Sequence, residues 1–210
     1  NALMELSYIV GMLNVCETYN PFERHFLEFG VWKGRSINYL ADTLQEWDLT
    51  LYGFDSFEGL PEHWEWGMPG KNPAPKGMFN LDGKRPEVRD NVNLVAGWFH
   101  ETLPVWWPIH KGPIAFLNLD CDIYRSTKYV LETLNDGIVK DTIIRFDDLV
   151  EWRADPFPYD KEDKRAPGKR YYNWKEGQWK ALNEWAEKYE REAEPFSRTW
   201  NKSGTVVVIK

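Results

Sequence analysis

Residues 25–36 read HFLEFGVWKGRS, and how that stretch divides decides the fold. HFLEFGV is a short apolar run broken only by His25 and Glu28, and it reads as a buried strand ending at Gly30. Beyond Gly34, residues 35–46 place Ile37, Leu40, Ala41 and Leu44 on one helical face. Two glycines four apart let the backbone turn sharply between strand and helix and come close to a ligand. The spacing is not the G-x-G-x-x-G of dinucleotide enzymes, and alone it is equally a plain strand-to-helix turn.

Outward from there the same rhythm repeats. LTLYGFD (49–55), NVNLVAG (91–97), PIAFLNLD (113–120) and DTIIRFDD (141–148) read as strands, and Ser126–Leu134 as a helix. Most of these runs are continuously apolar rather than alternating, as in a parallel sheet covered by helices on both faces. A helix is expected over 3–18, with Leu3, Leu6, Ile9, Val10 and Leu13 in phase, and another over 175–193, with Trp179, Leu182, Trp185 and Ala186 on one face. At the end, PFSRTW and TVVVIK are separated only by NKSG, a hairpin signal that makes at least one closing pair antiparallel. Two long insertions, 58–90 and 150–174, follow strand ends and are rich in proline and aromatic residues. They are expected to be lids outside the core. The whole, residues 1–210, reads as a single α/β domain.

Composition narrows the function. Of 210 residues, 42% are apolar, enough for a core of ordinary size. With 26 basic and 33 acidic residues the net charge is -7, which argues against a nucleic-acid binder. No apolar run approaches the roughly 20 residues that span a bilayer, and no signal-peptide pattern opens the sequence. The expected location is cytoplasmic. Cys16 and Cys121, the only two cysteines, exclude a disulfide scaffold and a cysteine zinc cluster. Twelve tryptophans, several in polar Pro- and Gly-rich stretches, point to a binding surface or to lids packed on themselves.

The acids at the strand ends carry the chemistry. Asp55 ends the second strand, 21 residues beyond Gly34, where a carboxylate can accept hydrogen bonds from both hydroxyls of a ribose. It is equally a turn aspartate. Asp120 and Asp122 end the fourth strand, and Asp147 and Asp148 the fifth. Like charges gathered at one sheet edge are costly unless they share a cation or a proton. Oxygen ligands suit a hard divalent ion such as Mg²⁺. Asp122 or Ser126 could instead cap the following helix. His25, His63, His100 and His110 show no metal-ligand spacing, and Cys121 reads as a small packing residue.

In this order, LEFGVWKGRS, LYGFDSFEGLPE, GWFHETLP, LNLDCDIYRSTK and IIRFDD resemble the macrocin O-methyltransferase family, over roughly residues 24–149. DSFEGLP together with D-x-D-x-Y-x-S-T is the specific part. The resemblance implies a class I methyltransferase fold: a Rossmann-like three-layer sandwich with a seven-stranded, mostly parallel sheet whose last strand is antiparallel. It implies S-adenosylmethionine as cofactor, with Glu28, Gly30, Gly34 and Ser36 near its methionine part, Asp55 and Ser56 at the ribose, and Gly97 and Trp98 near the adenine. It implies Asp120, Asp147 and Asp148 as ligands of a divalent ion, Mg²⁺, with Asp120 also as the base.

The implied activity is methyl transfer to a hydroxyl of a sugar, glycoside or related small polar acceptor. Two alternatives stay open: a phenolic or catechol-like acceptor, and a cofactor- or carbohydrate-binding protein without turnover. The stretch 150–174 has no counterpart in the family pattern. Trp64, Trp66, Tyr171, Tyr172 and Trp174 could stack on a planar or sugar acceptor or only hold the lids together. Lys161–Arg170 reads as a solvated loop. A homodimer is expected by analogy with related enzymes.

Overall fold

The computed structural model describes residues 23–45, 48–65, 73–149, 173–198 and 205–210. The helix expected over 3–18, most of the 150–174 insertion, Lys161–Arg170, Trp66, Tyr171, Tyr172 and Cys16 lie outside them. The described elements, in chain order, are β1 (His25–Phe29), α1 (Arg35–Leu44), β2 (Leu51–Asp55), β3 (Val92–Ala96), α2 (Phe99–Ile109), β4 (Ile114–Leu119), α3 (Tyr124–Thr133), β5 (Ile143–Phe146), α4 (Gln178–Lys188), β6 (Ala193–Arg198) and β7 (Thr205–Ile209).

The strands form one seven-stranded sheet in the order β3-β2-β1-β4-β5-β7-β6. The first five run parallel. β7 lies antiparallel to both β5 and β6. This is the seven-stranded mixed sheet that the resemblance implied, closed by the hairpin read from the C-terminal sequence. Strand order reverses between β1 and β4, the place where open α/β sheets leave a crevice at the carboxyl ends of their strands.

The apolar runs are continuous because both sheet faces are covered. On one face Phe26, Phe116 and Ile143 pack with Ile37, Leu40 and Leu44 of α1. On the other, Leu27, Phe29, Leu117 and Ile144 meet Leu103 of α2, Val130 and Leu131 of α3, and Trp185 of α4. Helix α1 buries the face that its spacing predicts, Ile37, Leu40, Ala41 and Leu44.

Three expectations need adjusting. Helix α2 was not read from the sequence at all, because Pro104 and Pro108 lie inside it. Each proline removes one amide donor, to the carbonyls of His100 and Pro104. Both of those residues are exposed, so water can satisfy the carbonyls. The helix expected over 175–193 is shorter. A 3₁₀ turn at Trp174–Glu176 precedes it, Gly177 (φ −97°, ψ −133°) separates the two, and α4 itself ends at Lys188. Glu190, at φ +52°, then turns the chain into β6. Finally, the 58–90 insertion is not wholly outside the core. Leu60 and Ala74 are buried, and Leu81 and Val88 pack against the α1 side of the sheet.

Candidate active site

A cleft of about 920 Å³ opens at the carboxyl edge of the sheet, with Gly30, Ser36, Asp55, Trp98 and Asp120 among its walls. Its floor is set by β1 and β4. Phe29 accepts a hydrogen bond from the Asp120 amide (2.9 Å), and the Gly30 amide donates to Phe54 of β2 (3.0 Å). Gly30 sits at φ +92°, and a Cβ there would lie 1.7 Å from the Asp120 carbonyl oxygen. Only glycine lets the two strand ends come this close. Gly34 (φ +75°, ψ 15°) is the N-cap of α1, so the turn between the two glycines carries the chain straight from strand to helix.

Asp55 organises that turn. Its Oδ2 accepts the amides of Val31 and Trp32, both at 2.8 Å, and its Oδ1 that of Phe57 at 2.7 Å. This is the turn-aspartate arrangement. With about two acceptor positions per carboxylate oxygen, Oδ1 keeps one and Oδ2 none. Ser56 lines the cleft beside it, and its hydroxyl accepts the Glu58 amide at 3.1 Å while keeping its own proton to donate.

Of the residues expected around the cofactor, Gly30, Ser36, Asp55, Ser56 and Trp98 line the cleft. Glu28 lies beneath it, fully buried. Ser36 Oγ donates to Glu28 Oε1 (2.8 Å) and Asn118 Nδ2 to Glu28 Oε2 (2.9 Å). Burial, outweighing those two hydrogen bonds, pushes the Glu28 carboxyl up to about 7. Gly34 and Gly97 are not among the residues that line the cleft. The Gly97 amide donates to the Asp55 carbonyl (2.9 Å) and so fixes the start of α2 beside the end of β2.

The acids gather as the sequence suggested, with a different membership. Asp120, Asp122 and Asp148 each offer a carboxylate oxygen, and these three atoms lie within 4.8 Å of one another. Asp147 also lines the cleft, but its carboxylate is paired with the Arg145 guanidinium. Asp122 reaches the group because its backbone is left-handed, at φ +60°. It caps nothing: the N-cap of α3 is Ile123, which makes no side-chain cap. Ser126 likewise lies inside that helix and lines the cleft. Burial and the neighbouring Asp147 raise the Asp120 carboxyl well above the usual carboxylate range. Burial and Asp148 do the same to Asp122. Three converging carboxylates, two of them raised in this way, suit a hard divalent cation by donor chemistry.

Cys121 lies between the two aspartates. Burial holds its thiol strongly protonated, and it contacts Thr127 Oγ1 at 3.5 Å, which makes it a packing residue. His100 lines the mouth of the cleft. His25 and His110 instead lie at the opposite end of the sheet among aromatic rings.

Sequence reading missed Arg145 and Asn118. Arg145 Nη1 donates to Asn118 Oδ1 at 2.7 Å. Each is a lone polar residue inside an apolar strand, two positions before a cleft aspartate, and that is the signal that could have found them. The mouth of the cleft is formed in part by the 58–90 insertion, through Gly59, Leu60, Pro61, Glu62 and Phe79. Glu62 pairs with Arg125 of α3 across it (3.1 Å). Trp64 forms a short antiparallel bridge with Ala74 within the insertion, and its ring packs against the core. Trp174 is buried in that core too, so neither ring stands free as an acceptor platform.

Comparison with known proteins fits this geometry. A family model described as a methyltransferase domain matches residues 27–149. The chain is 32% identical over 123 residues to demethyldecarbamoylnovobiocin O-methyltransferase of Streptomyces niveus, covering 51% of this chain and 46% of that protein. It is 29% identical over 139 residues to 8-demethyl-8-(2,3-dimethoxy-alpha-L-rhamnosyl)-tetracenomycin-C 4'-O-methyltransferase of Streptomyces olivaceus, covering 58% and 51%. The chain thus spans about half the length of the curated relatives it matches.

Among solved structures, the calicheamicin methyltransferase CalS11 superposes with a TM-score of 0.62 at 19% identity, covering 98% of this chain and 77% of that one. The O-methyltransferase NovP gives 0.60 at 20%, covering 98% and 78%. At these identities the superpositions speak for the fold alone. Among the described residues no helix is long and apolar enough to cross a membrane. With a match that takes in the glycine turn, Asp55 and the three clustered aspartates, the chain belongs to the methyltransferase-domain family.

Proposed function

We propose that the chain is an S-adenosylmethionine-dependent O-methyltransferase of the macrocin type, acting on a hydroxyl of a sugar or related small polar molecule. The observation that carries this reading is the contact between the Gly30 turn and Asp120. It sets a nucleoside-sized cleft directly beside three converging carboxylates. The two curated relatives are O-methyltransferases by name, one of them a 4'-O-methyltransferase of a rhamnosyl-bearing compound.

S-adenosylmethionine, when bound, supplies an electrophilic methyl group on a sulfonium. The chain's part is to hold and orient. Asp55 Oδ1 has one acceptor position for a ribose hydroxyl, and Ser56 has a hydroxyl proton to donate. Trp98, Phe99 and Trp32 supply apolar walls for a base or a sugar ring. Glu28 holds Ser36 in place from below.

Asp120, Asp122 and Asp148 would hold a divalent ion, which supplies charge that eases loss of the acceptor's hydroxyl proton. Asp120, in the cleft wall at the end of β4, would take that proton as the base. Fixing acceptor and cofactor in line can account for several kcal/mol of the barrier, on the order of an effective-molarity effect. The 58–90 insertion serves as a partial lid, tied to α3 by Glu62 and Arg125.

The test is calorimetry with S-adenosylhomocysteine, followed by a panel of nucleotide sugars, glycosides and catechols read by product mass. Binding is expected, with methylation of a glycosidic acceptor. Asp120→Asn should lower turnover by about 10²-fold or more while leaving cofactor binding in place. No binding of S-adenosylhomocysteine would sink the reading. Full activity in excess chelator would remove the ion from it.

A further inference from the structure

Beneath the cleft a buried polar row crosses the sheet. It starts at Ser36 on α1, which donates to Glu28 on β1 (2.8 Å). It passes to Asn118 on β4 (2.9 Å) and on to Arg145 on β5 (2.7 Å), and it ends where Arg145 Nη2 meets Asp147. Glu28, Asn118 and Arg145 are register neighbours on three adjacent strands. Glu28 and Asn118 are fully buried and Arg145 is 3% exposed. Arg145 is the one buried cation among the described residues, and it faces the acids of the cleft from below.

Asn118 is the member of this row whose chemistry cannot be turned around. A carboxylate accepts and a guanidinium only donates. The Asn118 amide therefore has to point its NH₂ at Glu28 and its carbonyl at Arg145. Flipped, it would set its NH₂ against the Arg145 guanidinium, donor against donor, whatever the protonation of Glu28. Ser36, where the cleft meets α1, is thus joined through Glu28 to this amide and to the guanidinium that holds Asp147.

We propose that Asn118 is a positioning residue that couples the cofactor side of the cleft to its acidic side. Ordering of Ser36 and Glu28 by a bound nucleoside fixes Arg145 and Asp147, and with them the field in which Asp120, Asp122 and Asp148 take up a cation. By linkage the reverse holds with the same factor. The coupling rests on the cofactor and ion reading given under the proposed function.

The experiment uses S-adenosylhomocysteine and Mn²⁺ as probes. The sulfur of S-adenosylhomocysteine is uncharged, so direct repulsion between sulfonium and ion does not enter. Its affinity is measured by calorimetry with and without saturating Mn²⁺, and Mn²⁺ affinity by the paramagnetic resonance of the free ion. In the wild type, Mn²⁺ is expected to tighten S-adenosylhomocysteine binding by about fivefold or more.

In Asn118→Ser, checked for folding by its thermal transition, that ratio should fall below about twofold, while each ligand alone binds within about threefold of wild type. Asn118→Leu, which at similar volume loses both the acceptor toward Arg145 and the donor toward Glu28, should lose the ratio as well if its thermal transition shows it folded. A wild-type ratio of one overturns the proposal without any variant. A folded variant that keeps the wild-type ratio overturns it too. Failure of S-adenosylhomocysteine to bind the wild type at all would overturn the function reading and the coupling together, so the two failures are told apart.

Discussion

The amino ends of β1 and β2 are closed by rings, and the carboxyl edge of the same sheet is lined with acids. At the amino end, the His25 ring lies 5.7 Å from Trp106 and 6.1 Å from Trp107, Tyr52 lies 5.0 Å from Trp106, and His110 stacks on Trp106 at 4.3 Å. The polar atoms there find partners: Trp107 Nε1 donates to Asp136 (2.8 Å), and His110 Nδ1 meets the Trp106 carbonyl (2.8 Å). At the carboxyl end, Asp120 and Asp122 hold their protons far more tightly than free carboxylic acids do. One end stores stability as packed area. The other gives stability up to keep charge-bearing groups close together, which is where chemistry is expected.

The largest effect that tests this contrast is Gly30→Ala. The added methyl would meet the Asp120 backbone, which no side-chain rotation relieves. A loss of about 5 kcal/mol or more, in practice no folded protein, is expected from urea melts of the purified variant. Normal folding would show that the two strand ends can part. Trp106→Ala removes the hub of the ring cluster and should cost about 3–5 kcal/mol in the same measurement. Its folded fraction should still bind S-adenosylhomocysteine with wild-type affinity. If binding fell with stability, the two ends would not be independent.

Acidity separates the ends further, with opposite signs. The folded state holds a proton on Glu28 up to about pH 7, above its ordinary value of 4.5, so it binds more protons than the unfolded chain between those values. Stability from this residue therefore falls as pH rises through that window. Relative to Glu28→Gln, the wild type should lose about 2–4 kcal/mol between pH 4.5 and pH 8 in urea melts. A flat difference would mean that the carboxyl is not desolvated.

His25 has its pKa lowered by burial, so the unfolded chain binds the extra proton. Its contribution is present above the ordinary histidine value of 6.5 and is lost as pH falls below it. His25→Phe, which keeps a ring beside Trp106, should remove this smaller acid-side loss. An unchanged slope would place the titration elsewhere.

The sequence made the strands legible because each is an apolar run long enough to be covered on both faces, and Leu40 and Leu44 marked the helix that covers one of them. It did not make α2 legible. Two prolines read locally as breakers, and only the exposure of the freed carbonyls makes them harmless. The acids of the site were legible as strand tips. Which of them converge was not, because that depends on a left-handed residue at Asp122 and on a guanidinium from β5 that draws Asp147 aside. Neither the left-handed backbone nor the choice of Asp147's partner, a guanidinium only two residues away, is marked by residue type alone. Asp55 shows the same limit. Its position was read correctly, but the three amides that occupy its carboxylate come from a loop more than twenty residues away in sequence and from its own turn.

The row from Glu28 to Arg145 also bears on how the sheet finds its alignment. Neighbouring residues of a strand point to opposite faces, so sliding β5 by one position against β4 would swing the Arg145 side chain toward the leucines of α2 and α3. A lone guanidinium among hydrocarbon side chains is a penalty that any mispaired strand would carry from the moment it formed. Three polar side chains in the middle of an oily sheet thereby act as a key, admitting one alignment of β1, β4 and β5 and refusing its neighbours.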